Sequence, residues 1–248
     1  MLSKSQIKYI RSLHSKKFRL QHQRYIAEGP KVVNELLIPN GNIEQIFATK
    51  SYIGQSTDLS KSSFEVIEIK SDELAKISTL KSPNEVLAVV KMDTINKPPT
   101  EIGEHNLVLA LDGINDPGNL GTIIRAADWF GIKQIVCSDN CVDVYNPKTV
   151  QSTMGSIAHV KVCYTDLGKW LSELNQTPVY AADLRGNNLY DTQLKRGVLI
   201  VGSESHGISP KITELASHKI VIPKYGKAES LNAAMATGII LSHYRNSN

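Results

Sequence analysis

From residue 107 onward the chain carries six short apolar runs, set apart by polar loops and stretches of helical periodicity, and this alternation limits the fold more than any other feature. The runs fall at 107–111, 134–137, 160–164, 179–182, 198–201 and 219–222. The first, LVLAL, is apolar at every position, the pattern of a strand covered on both faces. Helical spacing appears at 120–130, 147–154, 167–174 and 230–244. Such an order predicts an α/β fold with a mostly parallel sheet, helices on both faces, and a ligand site at the carboxyl ends of the strands.

Three polar loops leave those predicted strands. Residues 112–125, DGINDPGNLGTIIR, place Gly118 and Gly121 where tight turns are permitted, Asn119 with both a donor and an acceptor, and Arg125 one to two turns into the next helix. Neither GxGxxG nor the GxxxxGK[ST] phosphate loop is present, which sets aside a Rossmann dehydrogenase and a nucleoside triphosphatase. Residues 202–207, GSESHG, follow the apolar run VLIV. Ser205 and His206 suggest a hydrolase, but a nucleophile elbow centred on Ser205 needs glycine at 203, which is serine. Gly202 and Gly207 are better placed to let backbone approach a ligand, with Glu204 a carboxylate able to pair with Arg125. The third loop joins Ile222-Pro223 to Glu229, Ser230, Leu231 and Asn232 at the start of the last helix. Free N–H groups there favour a polar or anionic ligand, although Ser230 or Glu229 equally suits a plain helix cap.

The first ninety residues read as a smaller α/β unit. Helices are expected near 5–13, from Pro30, and at 71–78, where Ser71 suits a cap; strands are expected at 43–48, 64–69 and 86–92. Residues 93–105, with Pro98-Pro99 and no periodicity, read as a linker, giving units 1–92 and 106–248. The net charge of +4 conceals an imbalance: Lys4, Lys8, Arg11, Lys16, Lys17, Arg19, Arg24 and Lys31 stand against Glu28, so residues 1–31 carry +7 and the rest −3. Interleaved apolar residues make this a folded surface, which fits either a solvated basic face or a footprint for a phosphate backbone.

No apolar run approaches the roughly 18 residues that cross a membrane, and the start lacks the apolar core of a signal peptide, so a cytoplasmic protein is expected. Cys137, Cys141 and Cys163 lie in or beside apolar runs without a CxxC pair, which favours small core residues over a disulfide framework or a metal site.

Taken together the loops are specific. Asn119-x-Gly121-x-x-x-Arg125, Gly202-x-Glu204-x-x-Gly207, then Ile222-Pro223 and Ser230-Leu231-Asn232, resemble the ordered motifs of the SpoU (TrmH) family of RNA ribose 2′-O-methyltransferases, in the SPOUT superfamily. Residues 106–248 resemble its catalytic domain, and the first ninety or so, including Glu28-Gly29-Pro30-Lys31, the ribosomal-protein-like RNA-binding domain many members carry. Ser205 stands where members often have glycine. The resemblance implies a trefoil-knotted α/β domain, an S-adenosylmethionine pocket formed by the knot, and a homodimer. Backbone at Gly202, Ile222 and Leu231 would contact the cofactor. Asn119, Arg125, Glu204, Ser230 and Asn232 would form the catalytic set, with no metal needed. RNA, ribosomal rather than transfer by analogy, becomes the expected partner. The basic segment then reads as its phosphate contact.

Overall fold

A computed structural model describes residues 1–38, 42–56, 59, 64–93, 97–103 and 106–247. The chain forms two compact units, Met1–Thr94 with Asp143–Ala158, and Ile95–Val142 with His159–Asn248.

The first unit runs α1 (Lys4–Ser12), α2 (Lys16–His22), β1 (Arg24–Glu28), α3 (Pro30–Leu36), β2 (Ile43–Ala48), α4 (Lys50–Gln55), β3 (Glu65–Glu68), α5 (Ser71–Ile77) and β4 (Val86–Lys91), and later gains α7 (Pro147–Thr153). Its sheet has the order β1-β4-β2-β3, with β2 and β3 parallel and the other pairs antiparallel. Strand alternation explains its two buried faces. Val86, Ala88 and Val90 share a core with Val32, Val33 and Leu36 of α3, while Leu87 and Val89 share one with Ile10, Leu13, Leu74 and Ile77.

Local chemistry fixes the helix starts. Ser3 and Gln6 form a reciprocal capping box at α1, Ser3 Oγ accepting from Gln6 N at 3.1 Å and Gln6 Oε1 from Ser3 N at 2.9 Å. At α5 the cap expected at Ser71 falls one residue earlier, on Lys70, whose N–H donates to Glu73 Oε2 at 3.2 Å. Helices α2 and α4 and strand β1 were not expected. At seven and six residues the helices are too short to show a period, and Gln23, at φ 53, ends α2 abruptly.

The segment Asp143–Ala158 was expected to stay with the second unit, yet its packing places it in the first. Val150 enters the core beside Val32 and Val33, and the Tyr145 ring lies 4.7 Å from that of Tyr25. Arg19, only 2 % exposed, donates to Asp143 at 2.6 Å and to the carbonyls of Leu13 and His14 at 3.0 and 2.8 Å. This buried cation has an acid and two carbonyls as partners, which is what burial of a guanidinium requires.

The second unit runs β5 (Leu107–Asp112), α6 (Pro117–Trp129), β6 (Gln134–Ser138), β7 (Lys161–Thr165), α8 (Leu167–Glu173), β8 (Val179–Asn188), β9 (Gly197–Gly202), α9 (Pro210–Thr213), β10 (His218–Val221) and α10 (Ala233–Asn246). The sheet order is β10-β8-β9-β5-β6-β7, with every neighbouring pair parallel. Val108, Ala110, Val136, Val198 and Ile200 pack with Leu167, Trp170 and Leu171 of α8. Helices α6 and α10 lie together, held at their far ends by Arg245, whose guanidinium donates to the carbonyls of Phe130 and Gly131. Of the expected linker, residues 94–96 and 104–105 lie outside the described residues. The described part is not a free tether: Ile102 is buried in the second unit's core and Trp170 Nε1 donates to Pro99 O at 2.8 Å. No helix among the described residues is long and apolar enough to cross a membrane.

Candidate active site

The carboxyl ends of β5 and β9 and the start of α10 deliver three polar side chains to one point. Asn119 sits in the first turn of α6, where Asp116 caps the helix by accepting from Asn119 N at 2.8 Å. Its Nδ2 donates to Glu204 Oε1 at 2.6 Å. Asn232 donates from Nδ2 to the same oxygen at 2.9 Å and to Asn119 Oδ1 at 2.9 Å, while Ala233 N donates to Glu204 Oε1 at 3.1 Å. Asn232 Oδ1 meanwhile accepts from Ala234 N and Met235 N, capping α10. The last helix therefore begins at Ala233, not 230, and Ser230 belongs to the loop before it. Glu204 stands at the positive end of α10, where helix dipole and donors both favour a carboxylate.

The loop carrying Glu204 is built to be tight. Gly207 N donates to Ser203 O at 2.8 Å, and Gly207 has φ +66. A Cβ on Gly202 would lie 2.1 Å from the Gly207 carbonyl carbon. Gly202 thus first serves the closure of its own loop, a reason the sequence did not reveal. Buried Asp112, at the end of β5, anchors the exit of the loop by accepting from Ser209 N at 2.8 Å.

Beside this cluster opens a cleft of about 700 Å³, lined by residues 182–185, 201–208, 220–226 and 228–231 with Ala233, Ala236 and Ile240. Gly202, Ile222, Leu231, Glu204 and Ser230 all line it. Its size suits a small organic ligand. Asp183, Arg185 and Tyr225 also line it and are not among the expected site residues. The signal was available, since Asp183 and Arg185 come directly after the apolar run 179–182, although the structure keeps both within β8. Their hydrogen bonding holds the Asp183 carboxyl below its usual range and raises the guanidinium of Arg185.

Arg125 stands apart. It is exposed on α6 and, among the described residues, makes no ion pair with Glu204, whose bonded oxygen is occupied by Asn119, Asn232 and Ala233. The pairing suggested by the sequence is absent within this chain. Ser205 Oγ and His206 Nδ1 are 2.8 Å apart, yet both are exposed, and among the described residues no carboxylate orients the imidazole. That leaves the pair without the third member a hydrolytic triad uses. Cys137, Cys141 and Cys163 are free and buried, and among the described residues no three His, Cys, Asp or Glu side chains gather as a metal site.

Of the eight cations expected to meet RNA, Lys4, Lys8, Arg11, Lys16, Lys17 and Lys31 are exposed. Arg19 is a correction: buried against Asp143, it is a structural residue. Arg24 is half-buried and paired with Glu44 at 2.6 Å.

Comparison with known proteins gives matches for both units. Residues 106–242 match the SpoU rRNA methylase family and residues 4–88 an MRM3-like substrate binding domain. A 23S rRNA guanosine 2′-O-methyltransferase of Bacillus subtilis is 31% identical over 96% of this chain and 95% of its own. Among solved structures, a TrmH-family protein from Porphyromonas gingivalis superposes with a TM-score of 0.90 at 36% identity, covering 100% of both chains. An AdoMet-bound rRNA methyltransferase from Sinorhizobium meliloti superposes with a TM-score of 0.87 at 28% identity, over 99% of this chain and 97% of that one.

Proposed function

Since the chain belongs to the SpoU rRNA methylase family, we propose that it moves a methyl group from S-adenosylmethionine to a ribose 2′-hydroxyl of structured RNA, ribosomal RNA first. The observation that carries this is the meeting of Asn119, Glu204 and Asn232, drawn from three separate loops, at the rim of a cofactor-sized cleft. The B. subtilis relative supports ribosomal RNA, because it aligns along the basic first unit as well as the cleft-bearing second. With that substrate the protein works in the cytoplasm.

The cleft fits the cofactor on chemical grounds. Apolar Ile208, Ile222, Leu231 and Ile240 offer walls for an aromatic base, and the exposed backbone of the 202–207 and 222–231 loops offers polar groups to its edges. When bound, S-adenosylmethionine supplies an activated methyl group on a sulfonium. The protein's remaining task is to hold a ribose oxygen in line with that carbon and to manage one proton. Glu204 acts here as an organiser: bonded to Asn119, Asn232 and Ala233 N, it fixes the three loops together. Ser230, in the loop before α10, orients the nucleotide, while Asn232 holds Glu204 and Asn119 in place.

Arg125 is the group left to meet the target. A guanidinium does not serve as a base in a protein, so its role is to clamp a phosphate and the developing alkoxide with its planar fork. Its isolation from Glu204 supports a site completed by a second copy. So does the apolar surface of Trp129, Tyr190 and Met235, which are 85 %, 56 % and 60 % exposed. A homodimer covering that surface is part of the proposal, as is a trefoil knot. For the knot, the support is the close backbone passage of Gly186 against Ile220, where an added Cβ would sit 2.4 Å away.

The test is calorimetry with S-adenosylmethionine, followed by mapping of 2′-O-methyl positions in ribosomal RNA from cells with and without the protein. Saturable cofactor binding and one lost methyl mark are expected; an unchanged methylation map would sink the substrate assignment.

A further inference from the structure

Helices α1 and α2 carry a surface that methyl transfer does not use. Arg19 pins one side of α2 inward through Asp143, Leu13 and His14. Away from that anchor, Phe18 is 37 % exposed and belongs to neither hydrophobic core of its unit. His22, one turn further along α2, lies with its ring 18° from the plane of Phe18 and 6.4 Å between centroids. Tyr9 of α1 meets His22 edge-on at 5.2 Å and 84°. The ammonium of Lys17 stands 5.9 Å from the Phe18 centroid. Three rings therefore run across two helices, with Phe18 at the open end.

The two helices themselves carry cations and no acid. Lys4, Lys8, Arg11, Lys16 and Lys17 are exposed on the same two helices or at their ends. Glu28, the one acid of residues 1–31, is buried and accepts from Ser78 and Thr79. The carboxylate that does reach Tyr9, Glu44, is engaged by Arg24 at 2.6 Å.

An exposed ring among lysines matches one ligand chemistry, an unpaired nucleobase between two phosphates. Every base offers a π face and each phosphate asks for a cation. A continuous duplex keeps its base faces inside the stack and offers Phe18 nothing. Protein partners fit less well, because interface cores are depleted in lysine.

We propose that Phe18, supported by His22 and Tyr9 and flanked by Lys16 and Lys17, is a stacking platform for an unpaired base of the RNA substrate, so that the first unit reads a loop or bulge. Binding draws the Lys17 ammonium from the ring to the neighbouring phosphate. The proposal rests on the RNA-methylation reading, although the platform lies on the first unit and takes no part in the chemistry.

The test uses the full chain, an RNA hairpin with an adenosine-rich loop, and a blunt RNA duplex of equal length, with affinities measured by fluorescence anisotropy across a salt series. Phe18→Ala is expected to weaken hairpin binding roughly 5- to 150-fold. Duplex affinity and the salt slope, which report phosphate contacts, should not move. Phe18→Trp restores the hairpin and Phe18→Leu, apolar without a π face, does not. Equal binding by the Ala variant, or full rescue by Leu, overturns the platform, as does a changed oligomeric state with RNA affinity intact, which would assign Phe18 to a protein contact. Cofactor binding and methyl transfer by the wild-type chain are scored separately, so failure of the methyltransferase reading is distinguishable from failure of the platform.

Discussion

Single residues here divide by whether their polar atoms are already spoken for. Arg125 is exposed and unpaired among the described residues, whereas Arg19 is fully engaged, and nothing in the local sequence distinguishes the two. Arg125→Lys keeps the charge and removes the fork. Methyl transfer should fall roughly a hundredfold, the usual cost of one lost transition-state donor, with calorimetric affinity for S-adenosylmethionine unchanged; a variant as fast as wild type would rule out bidentate clamping. Asn232 has two duties, capping α10 and joining Glu204 to Asn119. Asn232→Ala should cost about 1 kcal/mol through the cap, a fall in Tm of about 2–4 °C for a chain of this size. Combined with Asn119→Ala, the loss should be less than additive, since both variants remove the same bond. Asn119, Glu204 and Asn232 were legible in the sequence only within a larger expected set that also holds Arg125 and Ser230. Their mutual bonding was not, because spacing along a chain says nothing about which side chains close on one oxygen.

At the scale of elements, the sheet of the second unit was readable because its strands are nearly continuous apolar runs, a pattern few other structures produce. Helix α10 was readable by its period, but its start moved from 230 to 233 once Asn232 proved to be the cap. Short pieces escaped for the opposite reason. Helix α2 spans seven residues and spends one inward position on Arg19, which reads as a surface cation in any sequence pattern. The 202–207 loop illustrates how an element constrains its glycines. Gly202→Ala sets a Cβ against backbone that has no flexible end to move. The loop must shift, at a cost of about 1–3 kcal/mol, and cofactor affinity should fall at least tenfold, whereas Gly226→Ala, with nothing within 4 Å of its Cβ, should bind as wild type.

For the whole molecule, the ownership of Asp143–Ala158 by the first unit was not legible in the sequence, since contact between residues more than a hundred positions apart leaves no local trace. One of its residues reports on alkaline stability. Burial, then the charge of Asp93, push the Tyr145 hydroxyl up to about 12 from 10.0. A raised folded value means stability that is complete below pH 10 or so and is lost as the pH climbs through about 12. Tyr145→Phe should flatten that decline in a pH series of thermal melts; an identical decline would exonerate this hydroxyl. Assembly is tested at Met235, 60 % exposed on α10. Met235→Glu should shift the sedimenting species to a monomer and remove methyl transfer together, and an active monomer would show that no second copy completes the site.

The recruitment of Asp143–Ala158 by the first unit also matters while the protein is being made. At about 5–20 residues per second, the stretch from 95 to 142 delays that segment by about 2–10 s after residues 1–94 are synthesised. Throughout that interval the surface destined for Val150 and Tyr145 is bare and Arg19 lacks Asp143. The basic unit cannot complete its fold before more than half of the chain has left the ribosome, which makes it a client for whatever shields apolar surface at the exit.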